Sequence, residues 1–479
     1  MMYIKNLTAA VFRYFEEICA IPRGSGNMEQ ISRYCLEFAK ENGLRAVCDG
    51  AKNVVIYKPA AKGYETAEPI ILQGHLDMVC QKTEDSATDP EKDGVKPYSE
   101  DGFIKAKGTT LGADNGIAVA MIMAVLSSKE LFHPPIEAVF TTDEEIGMIG
   151  AEKLDCSLLK GRRMINLDSE EAEILTVSCA GGSDFKAVLP TEKTEVKGTK
   201  VLLEINGLKG GHSGTDIDKG RINANILAAR ILNRLKKTAE FNIIGINGGT
   251  KGNAIPFCCK AELVTGDAET LIKTAEKYIS VITEEICGRE EDCDICLKTG
   301  ETGVFKALDG NSGNRLLGIL LTTPNGVIDM SAEIDGLTET SLNLGILSTE
   351  DYGAVMQYAL RSNKSSALTF LEDRMTAFAK LNGCDSQISC RYEPWEFKKN
   401  SPLQKLYADV YCKTLGHKPI ISAIHAGLEC AVFAKKIEGL DCISIGPDMS
   451  GVHTVNERLS VSSTEEIFGL LCEVLERLG

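Results

Sequence analysis

Short apolar runs alternate with helical patterns in the first and the last parts of the chain. Short runs rich in Val, Ile and Leu predict buried strands, whereas a longer apolar stretch predicts a helix. The predicted strands lie at 53–57, 69–72, 136–141, 164–167, 420–423 and 441–445, and the predicted helix lies at 116–127. Because alternating strands and helices build parallel sheets with helices on their faces, this pattern predicts an α/β fold with a largely parallel sheet.

The pattern changes near residue 186 and returns near residue 388. Between these positions, longer amphipathic units are separated by charged turns, and beyond them the alternation of strands and helices resumes. We therefore predict one catalytic domain, formed by residues 1–185 and 389–479, that is interrupted by an inserted α+β lid domain at 186–388.

Two local features refine this organisation. LEINGL at 203–208 resembles AEIDGL at 332–337, and each is a strand-like run before a helix-forming stretch, which indicates a duplicated lid. A six-residue match also arises by chance. Near the end of the chain, Ser463 with Glu466 three residues later predicts the N-terminus of a closing helix.

The N-terminal segment predicts an amphipathic helix, because Asn6, Glu16 and Glu17 interrupt its apolar residues and no signal-peptide core follows. A membrane span is not expected, because the chain lacks any run of about 18 apolar residues. The 17 cysteines are an odd and unevenly spaced set, which is typical of reduced thiols in the cytoplasm. A net charge of -16 opposes binding to nucleic acid. We therefore predict a soluble, cytoplasmic protein.

The histidines are the first candidates for chemistry. Four of the six stand in glycine-containing, turn-like contexts, whereas His133 and His417 read as ordinary surface or turn histidines. His75 follows an apolar run and Asp77 lies two residues on, so in an extended segment both side chains point to the same side. A carboxylate placed in this way orients a metal-bound imidazole. Taken alone, His-x-Asp has an equally good structural explanation.

An acidic loop follows the predicted strand at 136–141. It contains Asp143, Glu144 and Glu145, and three adjacent carboxylates repel one another unless a divalent cation lies between them. Adjacent glutamates that leave a strand point to different sides, so one can bind a metal ion while the other transfers a proton. Without further ligands, an exposed acidic turn explains the same residues.

Three further fragments supply such ligands. They are LGADNG with Asp114, INLDSE with Asp168 and SGVHT with His453. Together with the earlier candidates, the chain offers two histidines and three carboxylates. This set suits a pair of zinc or manganese ions about 3.5 to 4 Å apart, with one bridging carboxylate and a shared water.

Seven motifs, in order and over nearly the whole chain, resemble those of the aminoacyl-histidine dipeptidase family (peptidase D, cytosolic non-specific dipeptidase). The motifs are GHLDMV, LGADNGIA, TTDEEIGMIGA, NLDSEE, GGHSGTDI, HAGLE and GPDMSGVHTVNE. The family belongs to the co-catalytic metallopeptidases that include carnosinases and aminoacylases. The resemblance implies a zinc-peptidase-like α/β/α catalytic domain and a metal-dependent dipeptidase acting on Xaa-His peptides such as carnosine.

The resemblance also implies roles in the catalytic domain. It assigns metal ligands as follows: His75, Asp114 and Asp168 for one ion, Glu145 and His453 for the other, with Asp114 bridging. Asp77 is expected to orient His75, and Glu144 is expected to be the general base. The expected cofactors are two divalent ions per chain, zinc in the first place, with manganese or cobalt as alternatives.

The lid is expected to contact the substrate. The resemblance implies that His212 stabilises the oxyanion, either in its own chain or from a neighbouring protomer. Asn253 is a second contact, and Arg361 is predicted to bind the free C-terminal carboxylate. The competing interpretation of Arg361 is a solvated charge at a helix end. His425 and Glu429 are predicted to line the subsite for the substrate amine or side chain.

Three other functions are compatible with the same sequence. A related amidohydrolase would remove the acyl group from N-acyl amino acids, with the same metals and no free substrate amine. A non-catalytic family member would usually lack the base or a ligand, and this chain keeps all of them. A structural scaffold would leave the carboxylates at 143–145 unexplained. The expected partner is a small peptide, and assembly into a homodimer is left open.

Overall fold

A computed structural model describes residues 2–479, with side chains from Asn6 onward. In chain order, helices α1 to α12 span Met2–Cys19, Glu29–Glu41, Pro90–Asp93, Ala113–Ser127, Ile149–Lys153, Ala224–Leu235, Ala268–Ile286, Gly310–Thr322, Ser365–Leu381, Pro402–Leu415, Glu429–Lys436 and Val461–Glu476. Strands β1 to β23 span Arg45–Cys48, Val54–Lys58, Ile70–His75, Pro97–Glu100, Phe103–Ala106, Ile136–Thr141, Arg163–Asn166, Ile174–Cys179, Gly181–Leu189, Lys193–Asn206, Gly211–His212, Asn242–Gly248, Ala254–Ile255, Cys259–Thr265, Asp294–Leu308, Gly326–Met330, Thr338–Thr349, Ala354–Ser362, Asp385–Tyr392, Ile420–Ile424, Asp441–Ser444, Met449–Ser450 and Arg458–Ser460.

The chain forms two compact units. The first contains the residues up to 179 together with 395–423 and 428–479, and the second contains 180–394 and 424–427. The predicted domain boundaries at 186 and 388 lie within β9 and β19, two strands of the second unit. Strand β9 is mostly buried, whereas β19 is exposed over nearly its whole length.

An eight-stranded sheet organises the first unit, in the order β1-β2-β6-β3-β7-β21-β8-β20. Strands β6, β3, β7 and β21 pair in parallel, whereas β1, β2 and β8 pair antiparallel to their neighbours. The prediction of a parallel sheet is therefore right for the centre and wrong for the flanks. Only a short turn connects β1 to β2, and two strands joined in this way run antiparallel.

The central strands of this sheet are buried throughout, since helices cover them. Every residue of β3 and β6 is buried, and α4 is buried around nearly its whole circumference. A helix that is apolar on all sides belongs in the core of a large domain. These elements bring the carboxyl ends of β3, β6 and β7 to one edge of the sheet.

The second unit contains an antiparallel sheet of nine strands, in the order β15-β10-β14-β12-β17-β18-β9-β19 with β16 beside β17. One βαββαβ half consists of β10, α6, β12, β14, α7 and β15. The other half consists of β9, α8, β17, β18, α9 and β19, and the first half is inserted after its β9. Both halves have the same strand order, and β12 pairs with β17 where they meet.

The similar hexapeptides do not mark this recurrence of elements. Residues 203–206 lie in β10, whereas 332–337 form a bend-rich connection between β16 and β17, so the strand-like interpretation of 332–337 is wrong. In the half that begins with β9, the strand that corresponds to β10 is β9 itself. The repeated βαββαβ unit is visible in the order and pairing of the strands and helices. A six-residue similarity does not reveal it.

Four local features of the structure bear on the predictions. Helix α12 begins one turn earlier than expected: its N-cap is Ser460, whose hydroxyl accepts the Ser463 N–H, because β23 runs directly into the helix. His417 is exposed, but His133 is buried, which contradicts its surface assignment and lowers its pKa to about 4.

The 17 cysteines are all free thiols. Within residues 2–479, none of the helices combines the length and the apolar character that crossing a membrane requires.

Candidate active site

The polar residues at the carboxyl ends of three parallel strands form the site. His75 is the last residue of β3, Glu144 and Glu145 follow β6, and Asp168 follows β7. Strands β6, β3 and β7 are neighbours in the sheet, so these loops emerge side by side. Ligands of α/β proteins bind at this edge of the sheet.

Asp114 lies between two imidazoles. Its Oδ1 is 3.0 Å from Nε2 of His75, and its Oδ2 is 3.1 Å from Nε2 of His453. Each carboxylate oxygen thus faces a different histidine. This is the arrangement that a carboxylate bridging two cations requires.

Two more carboxylates complete the set. Asp168 Oδ1 lies 3.5 Å from His75 Nε2, and Glu145 Oε1 lies 2.9 Å from His453 Nε2. His75, Asp114 and Asp168 form one group, and Asp114, Glu145 and His453 form another, with donor atoms within 4.8 Å of one another in each. The structure therefore brings together the five residues that the sequence proposed as metal ligands, in two groups that share Asp114.

Asp77 supports both sides of this arrangement. Its Oδ1 lies 3.4 Å from His75 Nδ1, and its carboxylate accepts the backbone N–H groups of Glu144 and Glu145 at 3.0 and 3.2 Å. The Ser25 hydroxyl donates to it at 2.8 Å. Burial raises the pKa of Asp77, but the contacts with His75 and the N–H donors outweigh it and lower the pKa below its ordinary value. Asp77 therefore holds the acidic loop as well as the imidazole.

Several residues that hold the ligands in place were not predicted from the sequence. Asn115 is fully buried; its Oδ1 accepts the His75 backbone N–H at 3.1 Å, and its Nδ2 donates to the Leu167 carbonyl at 2.9 Å. A Cβ at Gly74 would lie 2.6 Å from Asn115 Oδ1, so β3 approaches this amide closely. The peptide bond between Asp114 and Asn115 is cis. Other missed residues are Ser25, Arg23 and Glu457.

The carboxylates of the site lack lysine or arginine partners among the described residues, so a bound cation would stabilise them. In the part of the chain that the structure describes, histidines are the only ion-pair partners of Asp114, Asp168 and Glu145. Burial raises the pKa of Asp168 to about 6, although His75 opposes the shift. Hydrogen bonds from His453 to Asp114 and Glu145 raise the histidine pKa to about 10.

The donor set itself defines which cations fit. All donors are carboxylate oxygens and imidazole nitrogens, without a thiolate, and this combination suits zinc or manganese. Divalent ions would also offset the excess of carboxylates over histidines and lower their pKa values. The residues therefore fit a pair of divalent cations.

Glu144 lies beside the two ligand groups that share Asp114 but belongs to neither of them. Carboxylate and imidazole atoms of His75, Glu144 and Glu145 approach within 4.8 Å. Burial is the main reason that the Glu144 pKa lies well above its ordinary value, and Asp168 and Glu429 add to the shift. A carboxylate that favours its protonated form in this way is suited to receive a proton.

In the second unit, Arg361 lies next to His212. Arg361 sits in β18 with 8% of its surface exposed, so the interpretation as a solvated helix-end charge is wrong. Its guanidinium donates to the Tyr392 hydroxyl at 2.9 Å and lies 3.4 Å from His212 Nε2. Among the described residues no carboxylate pairs with this cation.

His212 is held in one tautomer by its own loop. The backbone N–H groups of Gly214 and Thr215 point to its Nδ1 at 3.3 and 3.2 Å, so we assign the proton to Nε2. Burial and the charge of Arg361 lower the His212 pKa, which keeps the ring neutral. Asn253 is exposed in the turn between β11 and β13, one residue before Ala254, which pairs with His212.

The two candidates from HAGLE are buried and hydrogen-bonded within the protein. Both ring nitrogens of His425 are engaged, Nε2 with Ser341 at 2.8 Å and Nδ1 with Asn363 at 3.0 Å, and burial lowers its pKa to about 3. Glu429 is fully buried and accepts hydrogen bonds from the Gln73 amide and the Thr141 hydroxyl. Burial raises the Glu429 pKa to about 7.

Ligand groups that share a carboxylate, at the carboxyl edge of a mixed α/β sheet, define a class of hydrolase. The chain belongs to peptidase family M20/M25/M40, whose family model matches residues 71–477. The resemblance found in the sequence is thus confirmed at the level of the family.

Particular relatives cover almost the whole chain. The chain is 36% identical over 468 residues to the cytosol non-specific dipeptidase of Escherichia coli (strain K12), which is 97% of this chain and 96% of that protein. The crystal structure of aminoacylhistidine dipeptidase from Vibrio alginolyticus matches with a TM-score of 0.88 and 34% identity, over 98% of this chain and 97% of that one. Human carnosine dipeptidase 1, at 15% identity and a TM-score of 0.52 over 100% of this chain and 97% of that one, shares the fold.

Proposed function

We propose that this chain is a metal-dependent dipeptidase that hydrolyses the peptide bond of dipeptides. The observation that carries the proposal is the Asp114 carboxylate, which presents one oxygen to His75 and the other to His453. The names of the two most similar relatives above support a dipeptidase rather than the deacylase alternative. Those names differ in substrate range, so Xaa-His peptides of the carnosine type are the proposed substrates within a broader set.

Five residues would hold two divalent ions. His75, Asp114 and Asp168 would bind one, and Asp114, Glu145 and His453 would bind the other, with zinc as the proposed metal. When bound, such a pair supplies a nucleophile at neutral pH and polarises the scissile carbonyl.

The proton transfers are assigned to Glu144. Its carboxylate accepts a proton from the attacking water as the new C–O bond forms, and returns it to the amine nitrogen as the C–N bond breaks. Burial favours the protonated state that lies between these two steps. Asp77 fixes the backbone of Glu144 and the ring of His75, so the base keeps its position relative to the ligands.

The second unit is proposed to recognise the substrate. A neutral His212 offers its Nε2–H to the developing oxyanion. Arg361, a buried cation without a carboxylate partner in the described chain, is suited to a free C-terminal carboxylate. Asn253 adds a polar contact, and the proposal leaves open whether these residues act within one chain or across a homodimer. We also propose that His425 and Glu429 line the subsite for the substrate amine or side chain.

Neighbouring glutamates offer a sharp test of the base. Glu144→Ala should reduce kcat by about 10²- to 10⁴-fold, because the proton acceptor is lost, while two zinc ions per chain remain. The matched variant Glu145→Ala should lose activity together with the one zinc ion that Glu145 would bind. Zinc is measured by mass spectrometry after desalting, and kcat with a carnosine-type dipeptide. Activity that survives in Glu144→Ala would show that another group is the base.

The deacylase alternative is tested by changing the substrate's α-amine. Dipeptides with a free α-amine and their N-acetylated forms are compared at saturating zinc. A dipeptidase cleaves the free form, whereas a deacylase prefers the acetylated form.

The predicted cytoplasmic location belongs to the same proposal, and the name of the Escherichia coli relative places that protein in the cytosol.

A further inference from the structure

Glu457 is a buried carboxylate whose partners are four consecutive backbone N–H groups. Oε2 accepts from Leu111 and Gly112 at 2.7 and 3.0 Å, and Oε1 accepts from Ala113 and Asp114 at 2.8 and 3.4 Å. Only 3% of the residue is exposed. Both oxygens accept backbone N–H groups, which favours the ionised carboxylate, whereas burial acts in the opposite direction and raises the Glu457 pKa above its ordinary value.

A buried cation binds the same segment from its carbonyl side. Arg23 is 1% exposed, and its guanidinium donates to the Gly112 carbonyl and to the carbonyls of Leu76 and Asp77 at 2.8 and 2.9 Å. Gly112 is therefore held by Glu457 through its N–H and by Arg23 through its carbonyl. The segment before Asp114 is tied in this way to the segment after His75.

The chain at Gly112 accepts no side chain. Its φ is 73°, in the left-handed region, and an added Cβ would lie 2.6 Å from both an Arg23 nitrogen and the Met78 sulphur. The close approach allows two buried charges to share one residue. The segment leading into Asp114 is consequently defined by charge as well as by packing.

Glu457 also belongs to the loop that carries His453. The loop lies between β22 and β23, whose pairing of Met449 with Leu459 closes its base. Within it, the Glu457 N–H donates to the Thr454 carbonyl at 3.2 Å. One side chain thus connects the loop of His453 to the segment of Asp114, and these two residues face each other at 3.1 Å.

We propose that Glu457 is a positioning residue that fixes Asp114 relative to His453 and so builds the second metal position, formed by Asp114, Glu145 and His453. The inference rests on the proposed function, since it concerns the same pair of cations. Losing the Glu457 contacts should let the Asp114 segment move away from His453. The first position also includes Asp114. It keeps His75, which Asn115 and Asp77 hold, and Asp168, so the loss should be larger at the second position than at the first.

The test compares two buried glutamates that differ in location. In Glu457→Gln, the amide nitrogen must face two backbone N–H groups, so the segment is released with little change in volume. Glu137→Gln is the matched control: Glu137 is 4% exposed and accepts the N–H groups of Lys160 and Gly161, but it lies at the opposite end of β6 from the site. Both variants should unfold at lower temperature.

The readout is Zn²⁺ binding to the metal-free full-length chain, titrated against a chelating dye. For Glu457→Gln, we expect one of the two Zn²⁺ affinities to fall by about 10- to 100-fold, as is typical when residues that support metal ligands are changed. At free Zn²⁺ buffered between the two affinities, the stoichiometry should fall from two to one, and kcat should fall with little change in KM. Glu137→Gln should bind two ions with wild-type affinity.

The inference is overturned if Glu457→Gln binds two Zn²⁺ ions as tightly as the wild type, or if Glu137→Gln loses the same affinity. Should Glu457→Gln fail to fold, Glu457→Asp replaces it, since it keeps the charge one methylene further from the N–H groups. It should show a smaller loss at the same site, and unchanged Zn²⁺ affinity would contradict the proposal. If the wild type itself binds no Zn²⁺, the proposed function fails instead.

Discussion

The metal-ligand cluster of the first unit takes His75, Glu145 and Asp168 from the carboxyl ends of neighbouring parallel strands, whereas the His212–Arg361 pair of the second unit joins the short strand β11 to the antiparallel strand β18. In the cluster, carboxylates and imidazoles lie near one another, and no lysine or arginine among the described residues pairs with them. In the pair, a buried cation lies beside a neutral imidazole. The first arrangement is suited to bind cations, and the second is suited to bind an anion.

The largest expected effect comes from the residue that both metal groups share. Asp114→Ala removes both bridging oxygens, so zinc content should fall from two ions to less than one. Activity should fall by more than about 10³-fold, beyond the effect typical of residues that only support ligands. Zinc analysis and kcat with a dipeptide substrate measure the two effects. Retention of two zinc ions would separate Asp114 from the site.

The anion-binding character of the second unit predicts a change in specificity. Arg361→Met should raise KM for a dipeptide by about 30-fold or more, since truncating one partner of a buried charge pair costs at least about 2 kcal/mol. The matched substrate is the same dipeptide with an amidated C-terminus, which lacks the carboxylate. Its kcat/KM should be nearly the same in wild type and variant. An equal loss for both substrates would mean that Arg361 does not read the carboxylate.

A smaller effect concerns pH. The metal-free His453 has a raised pKa of about 10, so it is protonated at pH 7 and must release its proton to bind a metal ion. Asp168, with a pKa raised to about 6, is mostly ionised above pH 7 and contributes mainly at lower pH. Zinc affinity should therefore rise between pH 6 and about pH 9, with proton release detectable by calorimetry in buffers of different ionisation enthalpy.

His453→Gln sharpens the pH prediction. The variant lacks the titrating ring, so its zinc affinity should be weaker and should change less with pH above 7. A pH dependence equal to that of the wild type would assign the released proton to another group.

The difference between the two regions also explains what the sequence could predict. His75, Glu144 and Asp168 follow apolar runs that form strands, so their types and positions are visible together in short motifs. Arg361 and His212 are far apart in the chain and are common residue types, so composition alone left the choice between a ligand contact and a surface charge open.

The supporting residues were missed for a different reason. Arg23, Asn115 and Glu457 bind backbone N–H and carbonyl groups, which every residue possesses. Asn115 and Glu457 lie within the motifs LGADNGIA and GPDMSGVHTVNE, but a motif does not show which backbone groups a side chain will bind. Predicting them needs the tertiary arrangement of at least two segments. The same limit applies to the second unit, whose recurring strand order depends on pairing rather than on the hexapeptide at 332–337.

The most direct test of the account is an anomalous diffraction experiment at the zinc edge on crystals of the zinc-loaded chain. We expect two peaks about 3.5 to 4 Å apart on either side of the Asp114 carboxylate. One should lie near His75 and Asp168, and the other near Glu145 and His453. A single peak, or two peaks that both lie away from Asp114, would contradict the account.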